Sequence, residues 1–158
     1  MTILGIDPGT ERTGYGVILK QRAKQLQCVT YGCITTSRDK QRGERLVLLE
    51  KGVSQLLKTY KPEVLAVESL FFFKNLKTVM SVSEAKGVIL LAAARAKTPV
   101  YEFTPLQVKA AVTGYGRAEK KQVQRMVKEI LGLQEVPKPD DAADGLGIAI
   151  ACSLVLKG

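Results

Sequence analysis

Hydrophobic positions along this chain follow two periods, and the places where one gives way to the other predict its elements. Residues 2–7, Thr-Ile-Leu-Gly-Ile-Asp, form a short apolar run stopped by the turn signal Asp7-Pro8-Gly9, which predicts a buried strand. Tyr15–Lys20 and Gln25–Ile34 predict two more strands, joined by a short basic hairpin at Gln21–Lys24. From Glu44 to Tyr60 the period changes: Leu46, Leu49, Val53, Leu56 and Leu57 recur at helical spacing, and Pro62 ends the helix. Val64–Val67 is a fourth strand closing on Glu68. After a phenylalanine-rich loop, Thr78–Ala96 predicts a long helix with Val82, Ala85, Ile89, Ala92 and Ala96 on one side. Val100–Phe103 is a fifth strand, and helices follow near Pro105–Val112, Glu119–Leu131 and Asp141–Leu156.

Three strands in succession without a crossover imply an antiparallel meander, and two strands entered from helices imply parallel crossover units. The expected fold is therefore α/β, a mixed five-stranded sheet flanked by helices on both faces. At 158 residues the chain fits one domain, 1–158, with no internal repeat or low-complexity segment.

Charge narrows the partners. Lys+Arg 24 against Asp+Glu 15 gives +9, an excess that favours polyanions such as nucleic acid. Histidine is absent, which excludes a Ser-His-Asp triad, a His-ligated zinc and an imidazole general base. Cys28, Cys33 and Cys152 form no CxxC pair and read as reduced, mostly packing residues. The start, from Met1 to Asp7, carries neither the basic region nor the apolar length of a signal peptide. The apolar stretches Val88–Ala94 and Gly145–Leu156 fall short of the ~20 residues of a membrane span. A soluble, cytoplasmic protein is expected.

Carboxylates carry the candidate chemistry. Asp7 ends the first strand, Glu68 ends the fourth, and Asp141 and Asp144 lie three apart on one face of the last helix. If strands one and four are parallel neighbours, Asp7 and Glu68 emerge at one sheet edge, where a packed terminal helix adds its pair. Four oxygen donors converging without histidine make a hard site suited to Mg²⁺ or Mn²⁺, and two such ions can clamp a phosphodiester during in-line displacement. Each acid also has an ordinary reading by itself. Asp before Pro-Gly caps turns, Glu68 can face solvent, and Asp140, Asp141 and Asp144 suit any helix N-terminus. The combination, in a basic chain without other catalytic equipment, favours the metal site.

At larger scale the residues resemble a known family. Asp7-Pro-Gly-Thr-Glu-Arg-Thr-Gly-Tyr-Gly-Val17, Val67-Glu68 with Phe73-Lys-Asn75, Gly114-Tyr-Gly-Arg-Ala-Glu-Lys120 with Gln122-Val-Gln-Arg-Met126, and Pro139-Asp-Asp-Ala-Ala-Asp144 are similar to the RuvC family of Holliday-junction resolvases, in order from Met1 to about Ser153. The resemblance implies a ribonuclease-H-like fold and a divalent-metal-dependent endonuclease that resolves four-way DNA junctions by paired, symmetric cuts in recombination and repair. It implies a homodimer and the RuvA–RuvB branch-migration helicase complex as a partner. It also implies that Asp7, Glu68, Asp141 and Asp144 are the catalytic metal ligands, with Mg²⁺ or Mn²⁺ bound, two per active site. Asp140 receives no ligand role. The chain departs from the family in placing Gly145 after the last aspartate and lacking C-terminal histidines. Gly145 and Gly147 are expected to loosen the helix, by about 1 kcal/mol each relative to Ala.

For DNA contact, the loop after Glu68 offers aromatics to wedge or stack at the junction centre, with Lys74 and Lys77 meeting phosphates. The resemblance places the stacking aromatic on Phe71 and assigns DNA-binding lysines to Lys109 and Lys120. Arg117 and Lys121 lie on the same helical segments and are candidate phosphate contacts. Part of the long helix, Val88–Ala94, is apolar over more than one face and reads either as core or as a self-complementary dimer face. Two other function classes compete. Asp7-Pro-Gly-Thr10 with Thr13-Gly14 resembles the phosphate turn of actin-like or sugar-kinase phosphotransferases, which need a second domain and greater length. A DNA-binding domain that has lost its reaction would not be expected to keep all four acids.

Overall fold

The computed structural model describes residues 1–9, 11–21, 25–69 and 76–156, the side chains of Leu76 and Lys77 aside. Its elements run β1 (Thr2–Asp7), β2 (Arg12–Lys20), β3 (Leu26–Thr35), α1 (Arg42–Tyr60), β4 (Val64–Glu68), α2 (Leu76–Arg95), β5 (Val100–Phe103), α3 (Pro105–Thr113), α4 (Lys120–Leu131) and α5 (Asp140–Val155). The five strands form one sheet in the order β3-β2-β1-β4-β5. β1, β2 and β3 pair antiparallel, and β1-β4 and β4-β5 pair parallel. The mixed sheet expected from the element order is therefore present.

Alternation along the central strands divides the core in two. Ile3, Val64 and Ala66 face a layer of α3, α4 and α5, meeting Val108, Val127, Leu146 and Ile150. Leu4, Ile6, Leu65 and Val67 face α1 and α2, meeting Val53, Leu57, Ile89 and Ala92. Within α1, Leu49, Val53, Leu56 and Leu57 are buried as expected, whereas Leu46 is only partly covered. In α2, Ala85, Ile89 and Ala92 are buried, but Ala96 lies one residue past the helix and is exposed. Lys97 follows with a left-handed φ of 56°, so the chain has already turned toward β5 and carries Ala96 off the buried face.

Two local readings change. β2 begins at Arg12, three residues before the expected Tyr15, and pairs across Asp7↔Gly14 to Thr2↔Leu19. Its early part reads as loop because of Gly14, yet Gly14 and Gly16 are both there to admit α5. A Cβ on Gly16 would stand 2.7 Å from the Leu146 nitrogen, and one on Gly5 of β1 would stand 2.6 Å from the Ala149 nitrogen. Gly145 completes this contact from the helix side, since its own Cβ would lie 2.7 Å from the backbone of Tyr15. Its effect is therefore close helix–sheet approach, and the loosening expected from propensity is outweighed there. Gly147 has ordinary space, its nearest neighbour being Val108 Cγ1 at 3.5 Å.

The three cysteines are unpaired, Cys152 buried and Cys28 and Cys33 partly so. Among the described residues no helix is long and apolar enough to cross a membrane. The Gln21–Lys24 hairpin lies partly outside the described residues, as do Phe71, Phe72, Phe73 and Lys74.

Candidate metal centre

The register that pairs Ile3 with Val64 and Ile6 with Val67 brings Asp7 and Glu68 to the same carboxyl end of two adjacent parallel strands. Period-2 alternation then sets their direction. Ile3 and Gly5 precede Asp7 on the α5 face, and Val64 and Ala66 precede Glu68 on that face, so both acids turn toward α5. The glycine contacts hold the first turns of α5 against this edge. One carboxylate oxygen from each of Asp7, Asp141 and Asp144 lies within 4.8 Å of the other two. Glu68 joins Asp7 and Asp144 in lining a cleft of about 200 Å³ that also contains Lys109, Lys120 and Gly147.

Electrostatics distinguish this cluster from a solvated acidic patch. Burial pushes the Asp7 carboxyl well above the usual carboxylate range, with Glu68, Asp144 and Asp141 adding like charge and Lys120 opposing them. Glu68 is pushed up to about 7, first by burial and then by Asp144, against the pull of Lys109. Asp144 is also raised by burial, while Lys120 holds it down in part. Lys120 Nζ stands 3.3 Å from Asp140 and 3.6 Å from Asp144. Burial of Lys120 lowers its proton affinity, but Asp144 and Asp140 outweigh that and raise it.

The donors fit a hard divalent cation: all are carboxylate oxygens crowded together, with Asp7, Glu68 and Asp144 desolvated, a strain that a dication relieves. Asp7, Asp141 and Asp144 are brought together directly, and Glu68 shares their cleft. Lys109 and Lys120 line that cleft, whereas Arg117 and Lys121 are exposed and lie outside it. Phe71 and Lys74 lie outside the described residues, and Lys77 is the second residue of α2 with its side chain likewise outside them.

Two neighbours of the site escape a sequence reading. The Arg12 guanidinium lies 3.9 Å from Asp141. Its only sequence signal is its place between Asp7 and the paired Gly14, at the start of β2. Cys33, opposite Gly14 on β3, is raised by burial and then by Asp141, with Arg12 opposing, so its thiol borders the acids as a neutral group.

Comparison with known proteins agrees with this geometry. Residues 3–152 match the family described as crossover junction endodeoxyribonuclease RuvC. A protein of that description from Fusobacterium nucleatum is 53% identical over 150 residues, covering 95% of this chain and 78% of its own. One from Desulfitobacterium hafniense is 54% identical, with 95% and 90% covered. Thermus thermophilus RuvC, solved in complex with a Holliday junction substrate, superposes with a TM-score of 0.90 at 38% identity, covering 96% of this chain and 92% of that one. An acid-lined cleft at the carboxyl edge of this mixed sheet and a match spanning nearly every residue lead to one conclusion: the chain belongs to the RuvC family of crossover junction endodeoxyribonucleases.

Proposed function

We propose that this chain is a metal-dependent endonuclease that resolves four-way DNA junctions. The observation that carries the reading is the meeting of Asp7, Asp141 and Asp144 within 4.8 Å in a member of this family. Asp7, Glu68, Asp141 and Asp144 are the residues that hold the cation, Mg²⁺ or Mn²⁺, with two per site matching a four-carboxylate set. A divalent cation bound there supplies Lewis-acid stabilisation of the charge that builds on a phosphodiester during hydrolysis. The protein's own part is to fix those oxygens on strand ends and a packed helix, and to keep them desolvated. Lys109 and Lys120, on the cleft's lining, meet the phosphates of the strand to be cut.

Symmetric resolution of a junction requires two such sites related by a two-fold axis, so the working form is a homodimer of single-domain protomers. Phe71 serves as the aromatic wedge beside Lys74 and Lys77, and Arg117 and Lys121 extend the phosphate contacts. The RuvA–RuvB branch-migration helicase complex is the protein partner at the junction, in the cytoplasm. The test is direct. Purified protein incubated with a synthetic four-way junction and Mg²⁺ is expected to give paired nicks in opposing strands, and none in EDTA. A junction left intact by folded protein with Mg²⁺ overturns the reading.

A further inference from the structure

The helical corner between α3 and α4 carries a surface that the cleft chemistry leaves unused. Tyr115 is 59% exposed at its tip, beside Leu106 at 60% and Met126 at 38%. The corner is a hydrogen-bonded turn with a fixed shape. Gly114 ends α3 with a left-handed φ of 77°. The Thr113 hydroxyl donates to the Lys109 carbonyl at 2.8 Å and accepts from the Tyr115 N–H at 3.1 Å, and the Ala118 N–H donates to the Tyr115 carbonyl at 3.1 Å. The turn therefore presents the Tyr115 ring on a backbone that is already ordered. Behind it a groove runs along the outer side of α4, lined by Thr113, Tyr115, Ala118, Gln122, Arg125 and Met126.

Charge around this groove is one-sided. Residues 105–131 hold six cations (Lys109, Arg117, Lys120, Lys121, Arg125, Lys128) against two carboxylates (Glu119, Glu129). Arg117, Lys121 and Arg125 are exposed and have no carboxylate partner among the described residues. In contrast, Arg38, Arg42, Lys86 and Arg95 are each held by a glutamate. The surface is also continuous with the cleft, because α3 brings Lys109 into it and α4 begins with Lys120. From Lys109 to the end of α3 is about 6 Å of helix. That is roughly two base-pair steps of duplex.

We infer that the α3–α4 corner is a docking surface for the duplex arm that leaves the cleft, with Tyr115 packing its ring against the sugar edges of that arm and Arg125 taking a phosphate. The inference rests on the proposed function and adds two residues to it. A cationic rim around a small apolar tip matches nucleic acid, since phosphates satisfy the unpaired guanidinium and ammonium groups while a rigid aromatic packs against sugars or bases.

The test measures binding in EDTA, where no strand is cut, to a synthetic four-way junction with long arms of two helical turns (about 21 base pairs) and to one of its strands alone, which has no duplex arm. Tyr115→Ala is expected to weaken long-arm binding about tenfold, within the range that an aromatic contact to nucleic acid contributes, and to leave single-strand binding within about twofold. Tyr115→Phe keeps wild-type affinity, because the ring and not the hydroxyl makes the contact. Arg125→Ala lowers the slope of log affinity against log salt by about 1 on the long-arm junction. Unchanged long-arm affinity in Tyr115→Ala overturns the inference, as does an equal loss on the single strand or a groove that takes up a protein segment while DNA binding stays intact. Wild-type cleavage in Mg²⁺ is scored separately, so a failure of the nuclease reading is distinguishable from a failure of the arm contact.

Discussion

Gly14 on β2 and Asp141 on α5 are packed backbone against backbone: a Cβ at Gly14 would stand 2.9 Å from the Asp141 Cβ and overlap the Asp141 carbonyl. Strand pairing sets Gly14 opposite Asp7. One glycine therefore fixes the distance between the strand acid and the helix acid. Gly14→Ala is expected to push the first turn of α5 away from the sheet, with a fall in Tm on the order of 5 °C. The telling readout is metal-induced stabilisation: wild type is expected to gain Tm with Mg²⁺, and Gly14→Ala to lose most of that gain. A variant that melts lower yet keeps the full gain would show that Asp141 has not moved.

The two helix glycines should respond in opposite directions. Alanine is favoured over glycine inside a helix by about 1 kcal/mol. At Gly147 nothing opposes this gain, because the nearest atom to a new Cβ is Val108 Cγ1 at 3.5 Å. Gly147→Ala is expected to raise Tm by about 2–4 °C. At Gly145 the new methyl meets the Tyr15 backbone at 2.7 Å, and forcing it in costs roughly 1–3 kcal/mol. Gly145→Ala is expected to melt lower than wild type despite its better propensity. Calorimetry on the pair decides it, and equal shifts would sink the packing argument.

Asp7→Asn separates binding from cutting. Burial and neighbouring acids already push Asp7 toward its neutral form in the metal-free protein, so an amide of the same shape changes little there. Junction affinity measured in EDTA is expected to stay within about twofold of wild type, as for an uncharged exchange away from the phosphate contacts. Cleavage in Mg²⁺ is expected to fall by more than a hundredfold. Losing a group that merely orients a metal ligand costs roughly 10–100-fold, and loss of a ligand itself must exceed that.

Much of this site is readable from local pattern. Asp7 before Pro8-Gly9 and Glu68 closing Val64–Val67 are strand-end acids at alternation-defined positions, and Asp141 and Asp144 share a face by helical spacing. What escapes is tertiary. Gly14 weakens the strand signal, so β2 reads as starting at Tyr15, because the reason for that glycine is a helix more than a hundred residues later in the chain. Gly145 reads as a flaw in a helix until the sheet beneath it is known. Arg12 gives no hint of Asp141, since their meeting depends on the same packing. Ala96 reads as buried because its spacing fits, although the helix stops one residue sooner.

The acids should also make the metal-free protein sensitive to pH, in a direction opposite to the usual carboxylate. Glu68 rises from an ordinary 4.5 to about 7 in the folded state, chiefly through burial and then through Asp144. The folded chain therefore binds a proton more tightly than the unfolded chain. Its contribution is fully present below about pH 4.5 and is lost as pH rises through about 7, since stability falls wherever the folded state holds more protons. Asp7 and Asp144 are raised too and act in the same sense. In EDTA, Tm is expected to decline between about pH 5 and about pH 8, and Glu68→Gln, which has no proton to lose, should flatten part of that decline. A divalent cation competes with these protons, so the Tm gain from saturating Mg²⁺ should be larger at the upper end of the range. A gain of the same size at both ends would mean that the titrating acids are not those that bind the metal.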